Sequence, residues 1–172
     1  FSDGNDTANP AWDRYDPLGG IGAPFVPTSY VFTNGTYTIY TPIPAADFAG
    51  QARAGSFLRN SDYSDFYVSV DVVNFDDTIR QVFGIAARVS TPGLGSTDGY
   101  LFSWEPGGGA LPGTDNGDLD VSPLDGEIPL GQIEEQPSGV HLERGKTYRL
   151  VFMGKGFDFV GEVYEHPDLA NP

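Results

Sequence analysis

Alternation of apolar and polar residues is the feature that most restricts what this chain can fold into. In residues 66–72 (FYVSVDV) every second side chain is apolar, and residues 83–89 (FGIAARV) repeat the same period of two. Successive side chains of a β-strand point to opposite faces, so each segment is predicted to be a strand with one buried face. The polar linker 74–80 (NFDDTIR) is predicted to turn the chain, so that the two strands form an antiparallel pair.

Further strand segments are separated by turn residues. Asn34-Gly35 divides YVFT from TYTIY and supplies the two positive-φ residues of a type I′ hairpin turn. A second hairpin is predicted near the end of the chain, across Lys155-Gly156. The other predicted strands are SFLR (56–59), DGYLFSWE (98–105), DLDVS (118–122), KTYRLVFMG (146–154) and FDFVGEVYE (157–165).

The composition favours the same fold class. The chain has 23 glycines and 14 prolines in 172 residues, and no segment shows apolar residues at helical spacing, although residues 44–54 could form one helical turn. This length is typical of a single domain. The prediction is an extended N-terminal arm over residues 1–29, with room for one short strand, followed by an antiparallel two-sheet β-sandwich over residues 30–172.

The sequence also resembles a known group of folds. The segments FYVSVDVVNFDD, RQVFGIAARVS, DGYLFSWE and GKTYRLVFMGKGFDFVGEVYE are similar to the laminin-G/concanavalin-A-like β-sandwich domains of exported bacterial proteins. The resemblance spans about residues 55–165 and implies a jelly-roll strand order and a secreted or cell-surface location. Such domains usually continue with one or two more strands after the last motif, so the expectation is either that the protein extends beyond residue 172 or that the sheet lacks its last strand. An open sheet edge can recruit a strand from another chain.

The charge balance restricts the partners. There are 24 acidic and 9 basic residues, a formal net charge of −15. Nucleic acids and anionic membranes attract basic surfaces, so neither is an expected partner, and no apolar run is long enough for membrane insertion. Cations and neutral glycans are compatible with this charge.

Two acidic clusters are candidate Ca²⁺ sites, because Ca²⁺ prefers six to eight oxygen ligands from flexible, Asp- and Asn-rich segments. Neither cluster has the spacing of an EF-hand, and ordinary turn chemistry is the alternative interpretation. The resemblance favours the N-terminal cluster, since such sandwiches often hold a structural Ca²⁺ near the chain ends. The candidate ligands are Asp3, Asn5, Asp6, Asp115, Asn116, Asp118 and Asp120.

Aromatic and charged residues on the predicted strands could bind a sugar. Aromatic rings can stack on a pyranose, and an arginine and a carboxylate can bond its hydroxyl groups. The candidates are Tyr67, Asp71, Arg88, Tyr100 and Trp104, with Gly84 and Ala86 leaving room for the ligand. The alternatives are that Trp104 and Tyr100 belong to the core, and that Arg88 pairs with Asp71.

No catalytic arrangement is evident. A glycosidase needs two suitably spaced carboxylates, and the nearest match, Asp118 and Asp120 with the distant Glu127, has the wrong spacing. We therefore expect a non-enzymatic extracellular glycan-binding or adhesion module, with Ca²⁺ as a candidate stabilising ion. The alternatives are a structural subunit of an extracellular filament, assembled by strand complementation, and a glycoside hydrolase of the same fold.

Overall fold

The protein is all-β, as predicted. The computed structural model describes residues 4–8, 10–23, 25–42, 53–76, 81–105, 117–129 and 134–166, and these contain no helix. Every strand pairing is antiparallel. The strands are β1 (Trp12–Tyr15), β2 (Ser29–Thr33), β3 (Thr36–Tyr40), β4 (Gly55–Leu58), β5 (Phe66–Val72), β6 (Phe83–Ser90), β7 (Asp98–Glu105), β8 (Gly117–Asp125), β9 (Ile128–Pro129), β10 (Glu134–Val140), β11 (Tyr148–Lys155) and β12 (Asp158–Glu165).

The chain forms two compact units. The first comprises Phe1–Asp62 with Pro92–Leu94, and the second comprises Tyr63–Thr91 with Gly95–Pro172. The predicted boundary after residue 29 stays a prediction. Strand β1 is the short strand expected in the N-terminal arm, and the hairpin of β2 and β3 lies with it in the first unit.

The first unit contains two two-stranded sheets, β1-β4 and β2-β3. The β2-β3 turn has Asn34 at φ 53° and Gly35 at φ 79°, which confirms the type I′ turn. Two tyrosine hydroxyls link the sheets. The Tyr30 hydroxyl donates to the Tyr15 carbonyl at 2.6 Å, and the Tyr37 hydroxyl bonds the Ser56 hydroxyl at 2.6 Å.

The second unit is a two-sheet sandwich. One sheet has the order β10-β8-β7-β6, with β9 beside β8, and the other has the order β12-β11-β5. The two sheets meet through Phe102 of β7 and Phe152 of β11, whose ring centroids are 5.8 Å apart. Neither ring is more than 2% exposed. The all-β two-sheet prediction is confirmed, whereas the jelly-roll order stays a prediction.

The predicted pairing of β5 with β6 is wrong. β5 pairs with β11, and β6 pairs with β7, so the two strands belong to different sheets. The segment between them is long enough to cross the sandwich, and Phe75 within it is buried against the Trp104 cluster. The predicted turn of the last hairpin is also displaced by one residue, because Lys155 pairs with Asp158.

That hairpin has a type II′ turn. Gly156 at φ 58° occupies the first central position, where positive φ favours glycine, and Phe157 occupies the second. The Gly156 amide donates to the Asp65 carboxylate at 3.1 Å, which ties the turn to the start of β5. Phe157 is 92% exposed at the tip.

Candidate functional site

The outer face of the three-stranded sheet, which is the face directed away from the core, carries a row of polar side chains. The register places Asp71 of β5 beside Arg149 of β11, and Arg149 beside Tyr164 of β12. The next row along the strands contains Ser69, Val151 and Glu162. Residues on these two rows share a face because paired residues of adjacent strands project on the same side of a sheet.

Arg149 and Asp71 form a bidentate ion pair. The guanidinium Nε donates to Oδ1 at 2.6 Å, and Nη2 donates to Oδ2 at 2.8 Å. Hydrogen bonds from Arg149 hold the pKa of the Asp71 carboxyl below its usual range. His166, directly after β12, has its Nε2 3.6 Å from Asp71 Oδ1. The two hydrogen bonds from Arg149 hold the ion pair in one geometry at the surface.

Tyr164 and Glu162 form a second polar pair on this face. The Tyr164 hydroxyl donates to Glu162 Oε2 at 2.8 Å, although the two residues are only two apart on β12. This hydrogen bond to a carboxylate raises the pKa of Tyr164, and the nearby Tyr67 hydroxyl acts in the same direction. Glu162 and Tyr67 are therefore both close enough to Tyr164 to oppose its ionisation.

Tyr67 presents an open aromatic ring. It lies on β5 opposite Met153 of β11, one row further along from Ser69, and is 66% exposed. Val160 continues that row on β12 and is 47% exposed. The outer face thus has an aromatic and apolar part next to its polar rows.

This arrangement retains unused hydrogen-bonding capacity. An ionised carboxylate accepts about four hydrogen bonds and a guanidinium donates five, so the Arg149–Asp71 pair uses only part of each. A hydroxyl-rich ligand could accept from Arg149 and donate to Asp71 or Glu162 while one of its faces covers the Tyr67 ring. Fixed polar groups beside an aromatic surface are typical of small-molecule and sugar sites.

Two of the five residues predicted to bind a glycan lie on the outer face of the three-stranded sheet, namely Tyr67 and Asp71. Arg149, Glu162 and Tyr164 were missed. The alternation within each strand contains a signal that could have found them. Arg149 alternates with the buried Leu150 on β11, and Glu162 and Tyr164 alternate with the core-packed Val163 on β12.

Trp104 and Tyr100 lie on the inner face of the other sheet. Trp104 is 4% exposed, its ring packs among those of Phe75 and Phe83, and its Nε1 donates to the Val140 carbonyl at 2.9 Å. Tyr100 packs against Phe159 with centroids 4.3 Å apart. Both residues therefore face the core, which was the alternative to sugar binding. Phe102, which lies between them on β7, shares their face.

Arg88 does not pair with Asp71. Its Nε donates to the Ser64 carbonyl at 2.7 Å, and its guanidinium carbon lies 4.9 Å from the centroid of Phe159 and 5.7 Å from that of Phe66. Arg88 adopts φ 51°, where the β6-β7 register shifts between Ala87 and Ser90. The irregularity alters the direction of the side chain, and cation–π contacts hold it between the rings.

Gly84 has a structural reason to lack a side chain. A Cβ there would overlap the backbone of Phe102 and Ser103 on the neighbouring strand. The close approach of β6 and β7 therefore accounts for this glycine, without any ligand. Ala86 is half-buried on the same strand.

The N-terminal candidate Ca²⁺ ligands that the structure describes have protein partners. Asp6 is 5% exposed and accepts two hydrogen bonds from Arg14, from Nε at 2.5 Å and from Nη2 at 3.3 Å. These bonds lower the pKa of Asp6. The Asn5 side-chain oxygen accepts from the Thr7 and Ala8 amides, as in an ordinary Asx turn. The positive charge of Arg14 beside Asp6 opposes the binding of a cation at this carboxylate.

Each of the two candidate Ca²⁺ clusters has members outside the described residues, Asp3 in the N-terminal cluster and Asp115 and Asn116 in the second. Asp118 and Asp120 of the second cluster are on β8. Asp118 and Asp120 share one face of the strand, and Asp120 is buried. Within the described ranges, no group of three or more acidic or histidine side chains is arranged to hold a metal ion. Ca²⁺ binding stays a prediction.

Glu127, the distant third member of the nearest glycosidase-like pattern, has a structural partner. Its Oε2 accepts from the Gly95 amide at 2.7 Å and so braces two turns. Among the described residues, Asp118, Asp120 and Glu127 do not form a group of acidic side chains that could hold a metal ion.

The class that the fold defines is an antiparallel β-sandwich with a polar and aromatic outer sheet face. No protein-family model, curated protein or solved structure matches the chain. The laminin-G-like resemblance therefore stays a prediction. The part of the chain that the structure describes has no helix long and apolar enough to cross a membrane.

Proposed function

We propose that the protein is a non-catalytic extracellular glycan-binding or adhesion module that holds its ligand on the outer face of the three-stranded sheet. The observation that carries the proposal is the exposed Tyr67 ring on the same face as the bidentate Arg149–Asp71 pair. The ring can cover one face of a sugar while the ion pair exchanges hydrogen bonds with its hydroxyl groups.

The charge of the protein favours a neutral polysaccharide. A net charge of −15 opposes the approach of uronic acids or sulfated sugars. The outer face adds the carboxylates of Asp71 and Glu162, which accept hydrogen bonds from hydroxyl groups. Neutral hexose or pentose polymers are therefore the ligand class that this surface suits.

The test is affinity electrophoresis of the full chain through gels that contain a neutral polysaccharide, with β-glucan, xylan and mannan as probes. We expect at least one of them to retard the parent protein. Tyr67→Ala and Arg149→Ala should each weaken that retardation about tenfold, the effect of losing about 1.4 kcal/mol of binding free energy. Circular dichroism confirms that the variants remain folded.

Tyr63→Ala is the matched control, because Tyr63 is 63% exposed but lies outside the strands of this face. It should bind like the parent. Absence of retardation by all three polysaccharides, or an equal loss in Tyr63→Ala, would overturn the proposal.

The hydrolase alternative predicts turnover of a polysaccharide that Asp118→Asn or Asp120→Asn abolishes. The filament alternative predicts regular polymers in electron micrographs. A melting temperature that rises on addition of Ca²⁺ would support the candidate stabilising ion.

A further inference from the structure

Strand β5 is an edge of the three-stranded sheet whose core-facing side is incompletely covered. Among the described strands it pairs with β11 alone. Its residues Val68 and Val70 lie directly opposite Phe152 and Leu150, which are 0% and 1% exposed. Val68 and Val70 themselves remain 38% and 41% exposed. Apolar side chains on the core face are thus left open at this edge.

The β5 edge is regular along its whole length, and Asp71 is the one charged side chain within it. All seven of its residues pair with β11 without a register shift, and its sequence, FYVSVDV, contains no proline, glycine or lysine. The edges of the other sheet are irregular. β6 shifts register at Arg88, and β10 contains Pro137 and shifts between Gln136 and Val140. β12 is regular, but Phe159 and Val163 on its inner face pack against the core, whereas on β5 only the end residues Phe66 and Val72 do so.

The acidic side chains around β5 favour a partner strand with basic residues. Residues 60–79 contain no lysine or arginine, and exposed carboxylates flank β5 at Asp62, Asp65 and Asp76. Asp71 within β5 is paired with Arg149, and Arg88 lies at the start of the strand, bonded to the Ser64 carbonyl. A second copy of β5 would bring the same acidic residues to the edge, so like charges oppose self-pairing. A strand with basic residues is favoured instead.

We propose that the β5 edge binds an extended segment of a different protein chain, in which apolar residues alternate with basic or neutral ones. β11 shows the pattern that β5 pairs with. In β11, apolar Leu150 and Phe152 lie opposite Val70 and Val68, and basic Arg149 lies opposite Asp71. A segment of this pattern adds backbone hydrogen bonds to the side of β5 that no other described strand pairs with, and covers the two exposed valines.

The probe is a fluorescently labelled synthetic peptide with the sequence of residues 147–155, TYRLVFMGK, titrated with the full-length protein and followed by anisotropy. We expect saturable binding. Val68→Lys and Val70→Lys each place a charge on the inner side of the edge, so each should weaken binding at least about tenfold, or about 1.4 kcal/mol. Both positions are partly exposed, which allows the variants to fold.

Val160→Lys is the matched control, since Val160 is 47% exposed on β12 and faces the other side of the sheet. It should bind the peptide like the parent. A second peptide, with glutamate in place of its arginine and lysine, should bind more weakly if charge selects the occupant.

Failure of the parent to bind the peptide, or equal effects of Val160→Lys and Val70→Lys, would overturn the proposal. A concentration-dependent dimer that Val70→Lys abolishes in light scattering would also overturn it, by assigning the edge to a second copy. Val70 points away from Tyr67, so the polysaccharide test and the peptide test fail independently.

Discussion

Arg149 and Asp71 lie opposite each other on β11 and β5, joined by hydrogen bonds of 2.6 and 2.8 Å between the guanidinium and the carboxylate. The pair links the edge strand to the central strand of its sheet from the outer face. On the inner face of the same two strands, Val70 lies opposite Leu150. One pair of neighbouring strands therefore combines a polar surface with part of the core.

Acidification should weaken the contribution of this ion pair. The Asp71 pKa is lower in the folded protein than in the unfolded chain, where it is about 3.9. The stabilisation is therefore present above about pH 4 and is lost as the pH falls through the lowered folded value. Urea unfolding between pH 7 and pH 2.5 should show Asp71→Asn to be less stable at neutral pH and to approach the parent at the acid end.

Asp158→Asn provides the comparison for Asp71→Asn, because Asp158 is exposed and forms no ion pair with the described residues. Its unfolding midpoint should follow that of the parent at every pH. A difference between Asp71→Asn and the parent that does not change with pH would contradict the assignment to the charge.

Trp104 should contribute to stability. Its ring is buried with Phe75, Leu142 and Tyr148, so Trp104→Ala is expected to lower the free energy of unfolding by about 3–5 kcal/mol. Trp104→Phe should cost less, since it keeps one aromatic ring and loses the second ring and the hydrogen bond to the Val140 carbonyl. A Trp104→Ala variant of unchanged stability that failed to bind polysaccharide would restore Trp104 as a sugar-binding residue.

Gly161 should not tolerate a side chain. A Cβ at this position would overlap the ring of Phe102, which is 2% exposed and has no room to move. Gly161→Ala is expected to destabilise the protein by about 1–3 kcal/mol in chemical denaturation. Gly20→Ala is the control, because a Cβ there meets no atom within 4 Å. It should change stability by no more than about 0.5 kcal/mol.

Alkaline conditions should destabilise the first unit through Tyr30. Burial raises the pKa of Tyr30 to about 12, above the value of about 10 in the unfolded chain. The stability is retained below pH 10 and falls as the pH rises towards 12, because only the unfolded chain ionises readily there. Circular dichroism melts between pH 8 and pH 12 should show this decline.

Tyr30→Phe separates ionisation from the hydrogen bond to the Tyr15 carbonyl. It should lower the free energy of unfolding by about 1 kcal/mol at neutral pH, and should show a smaller loss than the parent at high pH. An identical alkaline decline in both proteins would assign the effect to other groups.

The local parts of the fold could be predicted from the sequence. Asn34-Gly35 predicted its turn because few residues adopt positive φ, and the alternation around Phe66 and Ile85 located β5 and β6 correctly. The pairing of these two strands was wrong, because periodicity identifies two faces of a strand and carries no information about its neighbour. The direction of the Arg88 side chain could not be predicted for a related reason. The register shift that turns it onto Phe66 and Phe159 has no clear sequence signal.

The sequence by itself determined that the chain is all-β, where most strands lie and which turn joins β2 to β3. Period-two alternation and turn chemistry act over a few neighbouring residues, so they can be interpreted locally. Only the tertiary structure decided that Trp104 is in the core, that Asp71 pairs with Arg149 and that β5 pairs with β11 and with no other described strand. These outcomes depend on contacts such as the one between residues 71 and 149, which are far apart in the chain and meet only when the sheets assemble.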